Sequence, residues 1–566
     1  MSYLRSETVR FLNDLPVPMR DGVSLSADVY LPVGNGPWPV LLTRTPYDNT
    51  RLVEVGIWWA ERGYAYVAND VRGRYDSEGT FVYYHAEVED GYDTIEWIGQ
   101  QEWCDGNVGM TGGSYLGQTQ YLAAITQHPL LKAICPRVMG DNLWDGRVWT
   151  SGAFALGSNA TWSSRTMTQT TQRLDHFDWP RLFRHLPVGD IPRMMGKNNL
   201  AYAEWTASPE YGEWWRYPSI DEHYEQVTVP ALHIGGWYDL YARGVIGNFA
   251  GIREHGGSEL ARKHQHVIYG AWNHPQAGAH FFPGYTNCGD REFGYASKLD
   301  TMAIELAWFD HWLRGIDNGI ENEPPVRIFV MGADLWREEQ EWPLARTEWT
   351  PWYLSSGGNA QTLVGDGTLS PEPPTAGTPP DTYRYDPENP VPTRGGCNCC
   401  NPEIVPWGVF DQREVEFRPD VLVFTSAPLE QDLEVTGPVK AVVYASTDGP
   451  DTDFTAKLCD VYPDGRSWNL CDGIVRGRHR NGRGPAEFLT PGEIYAFEID
   501  LWVTSNVFKA GHRIRVEISS SNFPRFNRNL NTDEPIPTAT TIRVATNMIY
   551  HDAEHPSHIV LPVIPG

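Results

Sequence analysis

Gly112-Gly113-Ser114-Tyr115-Leu116-Gly117 is the stretch on which the fold turns. Before it, residues 108–111 form a short apolar run that reads as a buried strand. After it, residues 115–126 carry apolar side chains at helical spacing. A strand that passes straight into a helix leaves the serine at a sharp corner. Glycine ahead of it lets the two elements approach without a side-chain clash, so the hydroxyl stays exposed.

Working outward, residues 40–43 and 64–68 read as strands around a helix at 53–62 that stops at Gly63, and a second helix is predicted over 89–102. Strand character returns at 229–234 and 266–269. This alternation predicts a doubly wound α/β sheet. It is interrupted by residues 144–226, where Trp144, Trp149, Trp162, Trp179, Trp205, Trp214 and Trp215 lie among polar residues at weak helical periodicity, which predicts a helical cap. A helix over 300–314, ended by Gly315, precedes strand 326–331, which is expected to close this part.

Beyond it the chain is β-like. Residues 365–396 are rich in Pro, Gly and Thr, and 513–519 alternate Ile514, Val516 and Ile518 with Arg513, Arg515 and Glu517, the pattern of a half-buried antiparallel strand. Repeated short strands predict a β-sandwich or jelly roll. The expected division is 1–143 with 227–343 for the α/β part, 144–226 for the cap and 344–566 for the jelly roll.

With 566 residues, several folding units are expected at roughly 150 residues each. A 41% hydrophobic and 21% charged composition suits a soluble globular chain. The net charge of −27 argues against nucleic acid, whose phosphates need clustered Lys and Arg, and against acidic membranes. Residues 1–21 are broken by Arg5, Glu7, Arg10, Asp14 and Arg20, unlike a secretion signal, and no run of about 20 apolar residues follows. A cytoplasmic location is therefore expected, with the eight cysteines as thiols. Cys397, Cys399 and Cys400 cluster without a second ligand pair at zinc spacing, and no His-Glu-x-x-His motif occurs. No metal and no cofactor are expected.

Ser114 fits a nucleophile elbow, although the usual second glycine two residues later is replaced by Leu116 and delayed to Gly117. In that architecture an acid and then a base follow on loops after later strands. Asp239, ending Gly235-Gly236-Trp237-Tyr238-Asp239, and His274, within Gly270-Ala271-Trp272-Asn273-His274-Pro275, occupy those positions. His264 and His266 fall on or beside a strand and are poorer bases. Serine is a weak nucleophile, so His274 would take its proton and return it to the leaving group while Asp239 orients the imidazole. The Tyr115 amide and the Tyr47 hydroxyl, in Arg44-Thr45-Pro46-Tyr47-Asp48, are the candidate oxyanion donors. Trp144, Trp149, Trp162, Trp237 and Trp407 are candidate walls of an aromatic substrate pocket.

Together with Asp70-Val-Arg-Gly-Arg74, Ser77-Glu-Gly79, Asp453-Phe-Thr-Ala-Lys457 and Ser519-Ser-Ser-Asn-Phe-Pro524, these motifs resemble the bacterial cocaine esterase-like branch of the X-prolyl dipeptidyl aminopeptidases, α-amino acid ester hydrolases and glutaryl-cephalosporin acylases. The resemblance spans nearly the whole chain. It implies an α/β-hydrolase with a cap inserted after the sixth strand, a C-terminal jelly roll walling the site, and an elbow whose second glycine is delayed as here. It also implies nucleophile Ser114, acid Asp239, base His274 and oxyanion donors Tyr47 and Tyr115. The segment Glu210-Tyr-Gly-Glu213-Trp-Trp215 lacks the adjacent acidic pair with which the α-amino acid ester hydrolases hold an ammonium.

The expected activity is cleavage of carboxylic esters with bulky or aromatic acyl groups through an acyl-enzyme. An amidase or acylase using the same triad, and a β-sandwich binding protein with an inactive hydrolase domain, are the alternatives. The expected partner is a small-molecule ester or amide, with no nucleic acid and no membrane. The sequence leaves a homo-oligomer open.

Overall fold

The computed structural model describes residues 9–281, 286–375 and 377–566. The first eight residues of the stretch read against a secretion signal lie outside them, as does residue 376 of the Pro-rich segment.

Strands β1 (Val9–Pro18) and β2 (Ser24–Pro32) form an antiparallel edge. The alternating run then gives β3 (Trp38–Thr45), α1 (Val53–Ala60), β4 (Ala65–Asp70), α2 (Glu87–Gly99), β5 (Cys104–Gly113), α3 (Tyr115–Ala124) and β6 (Leu131–Arg137). After this sixth strand the chain leaves the sheet through a short hairpin, β7 (Trp149–Thr150) and β8 (Ala153–Phe154), that the helical reading did not include. Helices α4 (Leu156–Thr166), α5 (Trp179–Phe183), α6 (Ile191–Met194), α7 (Leu200–Ala207) and α8 (Glu213–Arg216) follow.

The chain rejoins at β9 (Ala231–Tyr238), α9 (Ala242–His255), α10 (Glu259–Lys263), β10 (Gln265–Asn273) and α11 (His274–Gly278). It ends this part with a ribbon, β11 (Asn287–Cys288) and β12 (Arg291–Glu292), then α12 (Thr301–Arg314), β13 (Val326–Val330) and β14 (Leu335–Glu339). Asp300 caps α12 through the amide of Ala303 at 3.0 Å, and Gly315 ends it in the left-handed region at φ 67°.

The ten-stranded sheet runs β1-β2-β4-β3-β5-β6-β9-β10-β13-β14, parallel from β4 to β13. Strand β13 was expected to close it. Instead β14 adds an antiparallel edge, pairing Leu335 with Val330. Its sequence, Leu-Trp-Arg-Glu-Glu, is too polar for a buried strand, but an edge strand needs only one neighbour.

Alternate residues of the central strands serve two cores. Val40, Leu42 and Val67 pack with residues of α2, α3 and α9, while Leu41, Tyr66 and Ala68 pack with Trp59 of α1 and Trp308 and Phe309 of α12. Covering both faces is what turns these strands into nearly continuous apolar runs.

Among the described residues the C-terminal third holds eleven strands, from Glu348–Ser355 to His558–Ile564, in one sheet, with Tyr495–Phe508 branching off the path to pair with Leu433–Thr447. Strand Arg513–Ser519 lies between Leu422–Thr425 and Asp453–Val461. The half-buried expectation for it is corrected: its polar face is also covered, with Arg515 bonded to Glu416 at 2.6 Å and Glu517 to Lys457 at 2.9 Å. Alternation marks two chemically different faces, and here both are buried from Ile514 onward. The thiol expectation is corrected at one place, since Cys399 and Cys400 form a disulfide, whereas Cys397 and five others are free.

Candidate active site

Tyr47, Ser114, Asp239 and His274 follow β3, β5, β9 and β10, so the parallel strands deliver them to one edge of the sheet at their carboxyl ends. Ser114 has φ 60° and ψ −125°, a strained backbone for a side-chain-bearing residue. Its amide donates to the Arg137 carbonyl at 2.9 Å.

The glycines around it have steric causes. A Cβ at Gly113 would come within 2.5 Å of the Gly278 carbonyl oxygen. One at Gly117 would come within 2.9 Å of the Arg137 carbonyl oxygen and 3.0 Å of the Met139 Cβ. The tight passage of α3 against β6 thus falls at position 117, which is why the second glycine is delayed and Leu116 is tolerated.

His274 Nε2 is 3.0 Å from Ser114 Oγ, and its Nδ1 is hydrogen-bonded to Asp239 Oδ2. Asp239 is fully buried, and its Oδ1 accepts from the Tyr241 amide at 2.8 Å. His274 opens α11. Asn273 accepts from the Gln276 amide at 3.2 Å while the Gln276 side chain accepts from the Asn273 amide at 3.0 Å, a reciprocal cap that fixes where the imidazole starts. The Asn-His-Pro-Gln run carried that signal in the sequence.

Tyr47 Oη accepts a hydrogen bond from Trp162 Nε1 at 2.8 Å. An indole N–H can only donate, so the phenol keeps its own proton to give elsewhere. Burial pushes its pKa up to about 12, so the proton is retained at neutral pH. The Tyr115 amide opens α3, where first-turn N–H groups have no acceptor within the helix.

Behind these donors stand residues the sequence did not single out. The Tyr115 hydroxyl donates to Glu87 Oε1 at 2.7 Å, and the other oxygen of Glu87 pairs with the buried Arg44. Burial raises the Glu87 pKa against the pull of Arg44. Arg74 donates to the Pro46 carbonyl at 2.8 Å and to the Thr166 carbonyl at the end of α4, tying the Tyr47 loop to that helix.

Of the five tryptophans read as pocket walls, two stand by the site. Trp162 bonds Tyr47, and Trp407 lines a cavity of about 620 Å³ with Asn273, Pro275 and Gln276, the residues flanking and following His274. Trp144, Trp149 and Trp237 are corrected to packing residues: all three are buried, with Trp144 bonded to the Pro209 carbonyl, Trp149 against Phe154 and Trp237 bonded to the Phe329 carbonyl. The group of side chains among the described residues able to hold an ion is Glu416, Cys459 and Glu517 in the C-terminal third. Arg515 and Lys457 already neutralise its carboxylates.

Residues 21–276 match the model of the X-Pro dipeptidyl-peptidase (S15 family), and 318–560 that of the X-Pro dipeptidyl-peptidase C-terminal non-catalytic domain. Cocaine esterase of Rhodococcus sp. (strain MB1 Bresler) is 39% identical, covering 98% of each chain. Among solved structures, an aminopeptidase from the marine sediment archaeon Thaumarchaeota archaeon superposes with a TM-score of 0.86 at 28% identity, covering 99% of this chain and 97% of that one. An α-amino acid ester hydrolase superposes with a TM-score of 0.86 at 28% identity, covering 100% of this chain and 98% of the other.

Proposed function

The chain belongs to the X-Pro dipeptidyl-peptidase (S15) family, and from that premise we propose that it is a serine hydrolase of carboxylic esters. One observation carries the assignment of roles: the imidazole of His274 sits between a hydroxyl at 3.0 Å and a buried carboxylate. In this reading His274 accepts the Ser114 proton as Oγ attacks the ester carbonyl. Asp239 holds the tautomer and offsets the imidazolium charge. The tetrahedral oxyanion is met by the Tyr115 amide and the Tyr47 hydroxyl. Collapse gives an acyl-enzyme as the alcohol leaves with the proton from His274, and water completes the cycle through the same base.

Trp162 and Trp407 favour bulky or aromatic acyl groups, which an apolar wall holds better than acetyl. We assign residues 1–143 and 227–343 to an α/β-hydrolase unit, 144–226 to its cap and 344–566 to a jelly roll. The partner is a small-molecule ester or amide. Six free cysteines against one bridge between neighbours support a reducing, cytoplasmic setting. Among the described residues no helix is long and apolar enough to cross a membrane.

Benzoyl, phenylacetyl and acetyl p-nitrophenyl esters, each with a matched amide, should be assayed on the parent and on Ser114→Ala, alongside fluorophosphonate labelling. Turnover and labelling that both vanish in Ser114→Ala are expected. Equal turnover by the variant would overturn the reading, and acetate turned over as well as benzoate would overturn the acyl preference. Likeness to the archaeal aminopeptidase supports amide cleavage as the second reading, which the amide arm decides.

A further inference from the structure

The two donors assigned to the oxyanion sit on different elements. The Tyr115 amide opens α3, directly after the strained backbone of Ser114, while Tyr47 lies on the loop after β3. No short stretch of chain joins them, so packing has to set the gap between them.

Glu87, the first residue of α2, reaches towards both. It is 2% exposed, its Oε1 accepts from the Tyr115 hydroxyl at 2.7 Å, and its Oε2 accepts from Nη1 of Arg44. Arg44 stands near the end of β3, in the run that leads to Tyr47, and its Nε donates to Asn69 Oδ1 on β4 at 3.0 Å. One carboxylate therefore ties the element behind one donor to the element behind the other.

The anchor is itself fixed. Asp90, in the same turn of α2, takes two hydrogen bonds from Arg72, at 2.9 and 2.6 Å. The helix also presses on α3, where a Cβ at Gly91 would come within 3.3 Å of the Ala123 Cβ.

The Tyr115 side chain acts as a lever on its own backbone. Two torsions separate its ring from Cα. The ring is stacked on Tyr84 with centroids 4.3 Å apart and lies 15° from parallel with Trp162 at 6.1 Å. Trp162 in turn donates to Tyr47. With the ring held on its faces and the hydroxyl pinned by Glu87, little arc is left for Cα or for the N–H beside it.

Replacing a buried ion pair by apolar groups is often neutral or stabilising, so stability is a weak reason for a charge here. Holding two donors in register is a better one. We propose that Glu87 is a positioning residue: by tying the Tyr115 hydroxyl to Arg44 it sets the gap between the Tyr115 amide and the Tyr47 hydroxyl, and so their fit to a tetrahedral oxyanion. The proposal rests on the serine esterase reading and deepens it. Glu87 acts through its two neighbours, and no bond is made or broken at its carboxylate.

Three variants test this on one p-nitrophenyl ester, with sites counted by exhaustive fluorophosphonate labelling. Tyr115→Phe removes the hydroxyl and leaves Glu87 on Arg44. Glu87→Leu combined with Arg44→Met removes the tie without stranding a charge. Glu87→Gln preserves it, with the amide oxygen on Arg44 and an amide N–H on the phenol oxygen. The first two should lower kcat per labelled site by about 10- to 100-fold with KM within about twofold, because a misplaced donor is missed in the transition state and not in the ground state. They should weaken phenylboronic acid by a like factor, since its tetrahedral adduct on Ser114 presents an oxygen to the same donors. Glu87→Gln should stay within about threefold of the parent in both readouts, although its uncompensated Arg44 lowers Tm by more than Tyr115→Phe does.

A merely structural role would instead rank kcat by Tm. That ranking, a loss carried by KM, or a Tyr115→Phe variant with parental kcat and boronate affinity would overturn the proposal. Should Glu87→Gln or the paired variant fail to fold, Tyr115→Phe decides alone, because it leaves the buried ion pair in place. A parent that neither takes the fluorophosphonate nor binds the boronate would overturn the esterase reading and the proposal with it. A labelled parent with indifferent variants would overturn the proposal only.

Discussion

The indole N–H of Trp162 donates to the phenol oxygen of Tyr47 at 2.8 Å. A residue of α4 thereby sets the direction of a hydroxyl on a sheet loop, since the bond occupies a lone pair and turns the phenolic proton away from the indole. Tyr47→Phe should lower kcat by about 10²- to 10³-fold with little change in KM, the usual effect of losing one oxyanion donor. Trp162→Phe keeps a ring in place and removes only the orienting bond, so its kcat should fall by less than that of Tyr47→Phe. Steady-state kinetics on one ester checks both.

Asp239→Asn keeps the shape of the acid but offers no fixed negative charge to the imidazole. A loss of about 10⁴-fold in kcat is expected with the fold intact by circular dichroism. A loss under about tenfold would show that His274 is oriented without Asp239.

Glu305 is fully buried and receives Arg137 and Thr111. Glu305→Ala strands the Arg137 guanidinium, and the loss of one partner of a buried pair costs about 3–5 kcal/mol. Chemical denaturation should show a loss of this order. Because the Arg137 carbonyl holds the Ser114 amide, activity should decline in step.

Asp70 is a fully buried carboxyl that accepts from the Asn49 amide at 2.9 Å and has no hydrogen-bond partner on its second oxygen among the described residues. Burial pushes its pKa from 3.8 up to about 8. A raised folded pKa gives stability that is fully present below the unfolded value and is lost as pH climbs through the folded one. Relative to the parent, Asp70→Asn should therefore gain in Tm between about pH 4 and pH 8 and then level off. A Tm difference that is flat across this range would show that Asp70 does not titrate there.

Gly117→Ala places a Cβ 2.9 Å from the Arg137 carbonyl oxygen, and backbone must move to make room. A stability loss of about 1–3 kcal/mol is expected, the range for overpacking. A drop in kcat should accompany it, as the elbow is pushed off β6. Thermal unfolding and esterase kinetics on the same preparation test both.

The places of Ser114, Asp239 and His274 directly after their strands were legible because short apolar runs, turn glycines and helix periodicity are local signals. Side-chain neighbours were not. Trp144, Trp149 and Trp237 looked like Trp162 and Trp407, since tryptophan marks burial without saying which cavity or core it faces. Strand 513–519 alternated as a half-exposed strand does, but its polar face is met by Glu416 and Lys457, residues 99 and 60 positions away from their partners Arg515 and Glu517. Strand β14 escaped notice for a related reason, because its edge position permits a polar sequence.

Helix α4 and the hairpin before it are stitched to residues 524–527. Gly157, in the first turn of the helix that carries Trp162, donates to the Pro524 carbonyl at 2.9 Å, and Phe154 and Asn527 exchange two hydrogen bonds. A polypeptide emerging from the ribosome has made Ser114, Asp239 and His274 long before residue 524 exists. The helix that carries Trp162 is anchored only once residues 524–527 have been made. A chain cut before residue 524 therefore loses this anchor even though Ser114, Asp239 and His274 have already been made.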